Sequence, residues 1–127
     1  MADLPAGVFE NQALVVERFL PEVEDGRYYT RCYLFLGDHS ICARLGGANP
    51  IVKNDNIDEG TRVEVDPEIE ALRQELGFDY GKFDYVIHEG QAILLDANRT
   101  PGRPGPEEES IKNGYELAPG LDALISR

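Results

Sequence analysis

The sequence predicts an α+β protein, an antiparallel sheet of two hairpins with helices packed on one face. Three observations carry this. Residues 27–36 and 40–45 are apolar, aromatic or β-branched runs on either side of Gly37-Asp38. Residues 82–88 and 91–97 repeat the arrangement around Glu89-Gly90. Residues 66–77 spell a capped helix. Strands joined by tight turns pair antiparallel, because parallel neighbours need a long crossover. A chain of 127 residues fits one domain, 1–127, able to bury a modest core.

Element by element, residues 4–12 are a leading segment broken by Pro5 and Gly7. Residues 13–20 (ALVVERFL) read as a buried strand, stopped by Pro21. Residues 22–26 read as an acidic turn. The run RYYTRCYLFL at 27–36 is a strand that returns over 40–45. Residues 46–50 are loop, 54–60 are polar, and Val63 to Val65 read as a short strand. Asp66 is an N-cap with Pro67 at the first helical position and acids in the first turn. Ile69, Leu72, Arg73 and Leu76 give helical spacing, and Gly77 closes the helix. After the second hairpin, residues 99–106 (RTPGRPGP) are loop. Residues 107–126 carry a weaker helical pattern, interrupted at Gly114 and at Pro119-Gly120.

Composition narrows the function. With 42% hydrophobic and 28% charged residues, the chain reads as globular rather than disordered. A net charge of −12 argues against a nucleic-acid surface, which needs clustered Lys and Arg. No apolar run is long enough to cross a bilayer, so no membrane partner is expected. Residues 1–11 have neither a basic start nor an apolar stretch, which makes the cytoplasm the expected location. Cys32, Cys42, His39 and His88 lack zinc-ligand spacing. The two cysteines read as free, partly buried thiols, with a cross-strand pair as the alternative.

The chemistry concentrates in the second hairpin. Asp96 and Asn98, two apart on a strand, share a face. The turn at Glu89-Gly90 brings Asp84 to within about a residue of register with Asp96. Like charges on neighbouring strands are destabilising unless something neutralises them. A divalent cation would, since Mg²⁺ prefers carboxylate and phosphate oxygens. A solvated pair of acids on a polar face is the alternative.

Residues 79–86 (DYGKFDYV) followed by 94–102 (LLDANRTPG) resemble the metal-binding end of an ATP-grasp domain. That family follows an Asp on one strand with an acid-x-Asn and a Pro-Gly loop. The acid is most often Glu, and Asp96 is one methylene shorter. The resemblance implies that Asp84, Asp96 and Asn98 hold one or two Mg²⁺ ions bridging the phosphates of ATP. Residues 15–20 (VVERFL) are similar to the family's hinge strand along the adenine. There the backbone at Arg18 to Leu20 would recognise the base, Glu17 would face its amino group, and Glu24 would accept from the ribose hydroxyls. Arg31 resembles the arginine of the strand after the hinge, which faces phosphate or an acyl phosphate. By alternation Arg44 shares its face, and both suit bidentate oxyanion contacts. Lys53, Lys82, Arg99 and Arg103 are weaker candidates.

The resemblance covers 13–102, leaving 103–127 as loop and C-terminal helix. It implies the carboxy-terminal lobe of an ATP-grasp unit. The family's other lobe carries a glycine-rich loop and phosphate-binding lysines that have no counterpart here. The implied function is the Mg-ATP-binding lobe of a carboxylate–amine ligase that works through an acyl phosphate. Its partners would be ATP and a carboxylate substrate. A complementary lobe or a second copy would cover the faces of 13–20 and 82–97. The alternative is a non-catalytic nucleotide- or metal-binding module, or an interaction module that keeps only the fold.

Overall fold

A computed structural model of the chain describes residues 18–53, 55–101 and 107–125. Among the described residues six strands form one antiparallel sheet: β1 (Glu22–Glu24), β2 (Arg27–Leu36), β3 (His39–Gly47), β4 (Glu59–Arg62), β5 (Tyr80–His88) and β6 (Gln91–Asn98). Among the described residues the helices are α1 (Pro67–Leu76), α2 (Glu107–Leu117) and α3 (Gly120–Ile125). The sheet runs β4-β3-β2-β5-β6, with β1 beside β2 where β5 does not reach. No described helix is long and apolar enough to cross a membrane.

Both predicted hairpins form. Leu36 pairs with His39 across Gly37-Asp38, and His88 pairs with Gln91 across Glu89-Gly90. The acidic stretch at 22–26 is itself a third hairpin rather than a plain turn. Asp25 and Gly26 have φ of 51° and 74°, as a two-residue turn with both centres left-handed requires. The predicted strand at 63–65 lies slightly earlier, at Glu59–Arg62. Val63 and Val65 follow it as an extended link whose side chains pack on the core. Of the predicted strand at 13–20, residues 13–17 lie outside the described residues, and 18–20 carry no regular structure.

Helix α1 is capped as the sequence indicates. The Asp66 side chain accepts from the Glu68 amide at 2.9 Å, and Gly77 ends the helix in a left-handed conformation. At the other end of the chain, Gly114 does not interrupt α2. A mid-helix glycine costs only about 1 kcal/mol and does not break the hydrogen-bond ladder. The break falls at Pro119, which cannot continue the ladder.

Alternation along β2 divides the sheet into two faces. Tyr33, Phe35, Phe83 and Tyr85 are fully buried on one, packed with Cys42 and with Ile69 of α1. The Tyr33–Phe35 and Phe35–Phe83 ring centroids lie 4.9 and 5.2 Å apart. Leu34 and Leu36 point to the opposite face, where Leu117 of α2 and Leu121 of α3 gather with them. The expectation of helices on one face is therefore corrected: α1 covers one face, and α2 and α3 cover part of the other. The physical reason is that β2 is apolar on both faces and needs two covers. Helix α3 starts against the first hairpin turn, with Gly120 backbone to backbone on Leu36 and Gly37.

Cys32 and Cys42 are free. Cys32 pairs with Ala43, and Cys42 with Tyr33, so adjacent ladder positions put the thiols on opposite faces. Only Cys42 lies in the aromatic core, its sulfur 3.5 Å from the Tyr85 hydroxyl.

Candidate functional site

The carboxylates of the second hairpin meet as the turn geometry predicts. Asp84 pairs directly with Asp96, and Lys82 with Asn98. All four lie on the face away from α1. A bulge beside Asp84 leaves Leu95 as the extra residue of β6. The ladder thus places two carboxylates and an amide side by side. The charge balance comes partly from within, because Lys82 Nζ lies 3.2 Å from Asp84 Oδ2. Burial works against the Lys82 ammonium, but the charge and hydrogen bond of Asp84, with Cys32 and Asp96, together hold its pKa above the ordinary value. Asn98 Oδ1 accepts from the Thr100 amide at 2.8 Å, which fixes the start of the Pro101 loop. Among the described residues no group of three His, Cys, Asp or Glu side chains converges. As a donor set, Asp84, Asp96 and Asn98 offer hard oxygens that suit a cation sharing its shell with phosphate.

Next to this pair lies an apolar cavity of about 310 Å³. Arg18, Phe19, Leu20 and Pro21 form one wall, and Pro50 to Val52 another. Its floor includes Tyr28, Thr30, Val86 and Leu95. Tyr28, Thr30 and Val86 share the parity of Cys32 and Asp84 on their strands, so the floor lies on the Asp84 face. Val86 is two residues from Asp84, and Leu95 adjoins Asp96. Arg18 and Leu20, expected along a nucleoside, therefore do border a cavity beside the expected metal ligands. Glu17 lies outside the described residues. A second cavity of about 620 Å³ opens at the other end of the same face, between Leu34, Leu36 and α2.

Arg31 and Arg44 are direct cross-strand partners. They project from the α1 face, opposite Asp84, and both hold Glu22. Arg31 donates from Nε to Glu22 Oε1 at 3.0 Å and from Nη2 to Oε2 at 3.1 Å. Arg44 donates from Nε to Oε2 at 2.8 Å. Arg44 also reaches Glu24 Oε2 at 2.6 Å and stacks on the Tyr29 ring, 3.5 Å from its centroid. Glu24 is thus engaged on the arginine side of the sheet and not at the cavity. The structure groups Asp84, Asp96 and Asn98 on the sheet face whose cavity the Arg18–Leu20 stretch walls, though none of the three lines that cavity, and places Arg31, Arg44 and Glu24 in a separate network on the other face.

Glu22 is the residue that sequence reasoning passed over. It is 5% exposed and also accepts from the Ile87 amide at 2.7 Å. Burial opposes its ionisation, but the donors from Arg31, Ile87 and Arg44 prevail and hold its carboxyl below the usual carboxylate range. The signal was present: Asp25-Gly26 between Glu22–Glu24 and Arg27–Leu36 is a strong hairpin mark, and it puts Glu22 on the parity of Arg31. No protein-family model matches the chain, and no curated protein matches it either.

Proposed function

We propose that this chain is a nucleotide-binding lobe of the ATP-grasp type that holds Mg-ATP on the Asp84 face of the sheet. The observation that carries the reading is the apolar cavity walled by Arg18 to Pro21 next to the Asp84–Asp96 pair on one sheet face. The base would sit among Phe19, Leu20, Val86 and Leu95, with the phosphates directed toward Asp84, Asp96 and Asn98. Mg²⁺, when bound, supplies charge to offset the phosphates. Lys82 then has two acceptors to choose between, Asp84 and phosphate. By the resemblance, the activity is ATP-dependent joining of a carboxylate to an amine. Arg31 and Arg44 face away from this site, and the reading gives them a structural role.

One observation favours a second reading, binding without turnover. The arginines suited to an acyl phosphate are held by Glu22 behind the sheet. Calorimetric titration with ATP and Mg²⁺ tests the first point. We expect binding that Asp96→Ala weakens by about tenfold or more, the loss of one charge-assisted contact. ATP turnover by the same chain separates catalysis from binding alone. A chain giving neither heat nor a thermal shift at millimolar Mg-ATP would be an interaction module that keeps only the fold.

A further inference from the structure

We infer that Glu22 and His88, with Arg31 and Arg44 behind them, form a strap that positions the cavity wall at residues 18–21; its role for nucleotide rests on the proposed Mg-ATP site. Residues 18–20 carry no regular structure, yet they wall the cavity opposite Val86 and Leu95. The two residues immediately after them are each fastened. The Pro21 carbonyl accepts from His88 Nδ1 at 2.6 Å. One residue later, the Glu22 carboxylate takes the Ile87 amide and both guanidinium groups.

The sheet topology explains why a carboxylate stands there. The β2–β5 ladder ends at Arg31–Tyr85, and β2 takes β1 as its neighbour from Tyr29 onward. Ile87 lies beyond that fork, and its amide faces Glu22 instead of a strand. Two guanidinium groups and an amide all donate, so the group among them must be acceptor-only and offer several lone pairs. A carboxylate does this, and it carries the charge that two arginines require. The network is on the arginine face, whereas the wall it fixes lines the cavity on the other. Arg31, Arg44 and Glu22 are thus positioning residues, reaching the nucleotide only through the backbone of Pro21 and its predecessors.

Three variants of the full chain test this: His88→Phe, His88→Asn and Glu22→Gln. Asn can present an amide donor close to where His88 Nδ1 stands, whereas Phe fills the space without one. Hydrogen exchange at Phe19 and Leu20 and the affinity for Mg-ATP are the two readouts. We expect faster exchange and about tenfold weaker binding in His88→Phe and Glu22→Gln. His88→Asn should recover both, which a general loss of packing would not produce. If Glu22→Gln does not fold, the two His88 variants still decide. Exchange and affinity equal to wild type in His88→Phe would overturn the strap while leaving the nucleotide site intact. Wild-type chain that takes up no Mg-ATP would overturn the nucleotide reading and, with it, the role given to the strap.

Discussion

At Glu22, four N–H donors from two guanidinium groups and an amide meet one carboxylate that is almost wholly shielded from water. Its pKa is lowered by folding, so its stabilising contribution is complete above the unfolded carboxyl value of 4.5. The contribution is lost as pH falls through the lower, folded value. Urea unfolding of wild type should therefore lose free energy as pH drops from about 5 toward about 3. Glu22→Gln should show a shallower decline and, at neutral pH, a stability lower by about 3 kcal/mol, because two guanidinium groups lose their charge partner. Equal pH slopes in both proteins would remove Glu22 from the acid transition. Cys32 shows the opposite direction: burial and then the nearby Asp84 push its thiol up to about 12, so it is a poor nucleophile. The Asp84–Asp96 register was legible because one turn and strand parity define it. Glu22 was legible only in part: the Asp25-Gly26 turn sets its parity with Arg31, but Arg44 and Ile87 stand 22 and 65 residues away and only the assembled sheet brings them in.

At the scale of elements, the first and second hairpins were legible because Gly37-Asp38 and Glu89-Gly90 interrupt β-rich runs. The side of the sheet taken by the carboxy-terminal helices was harder to read. Tyr33 and Phe35 on one face and Leu34 and Leu36 on the other are all apolar, so periodicity alone gives no preference. The helices are placed instead by a backbone contact. A side chain on Gly120 would collide with the Leu36 carbonyl, and one on Gly37 with the Gly120 carbonyl. Gly120→Ala should therefore cost about 1–3 kcal/mol, either by forcing α3 off the turn or by straining it there. Gly114→Ala is the matched control. A Cβ there meets nothing within 4 Å, and alanine is the better helix former. That variant should gain about 0.5–1 kcal/mol. Thermal unfolding of both variants reads the difference. Equal effects would show that α3 does not rest on the hairpin turn.

Across the whole molecule the governing quantity is the charge of −12, from 24 acids against 12 Lys and Arg. Many of those cations are already matched: Arg27 with Asp58, Arg31 and Arg44 with Glu22, Arg62 with Glu116, and Lys82 with Asp84. The surplus acids repel one another in the compact state. A globule of this length has a radius of gyration of about 14 Å. At about 0.01 M salt the Debye length, about 30 Å, exceeds that radius, so the surplus charges interact across the molecule. At about 0.15 M it falls to about 8 Å and the repulsion becomes local. Unfolding spreads the charges apart, so screening favours the folded state. The same salt weakens the exposed pairs Arg27–Asp58 and Arg62–Glu116, but such solvent-screened pairs contribute little. The Glu22 network is screened less, because it is largely out of water. The repulsion term should therefore win. The urea midpoint is expected to rise between these two NaCl concentrations, with an unchanged dependence on denaturant. A midpoint that falls instead would mean that the surface ion pairs outweigh the excess of negative charge.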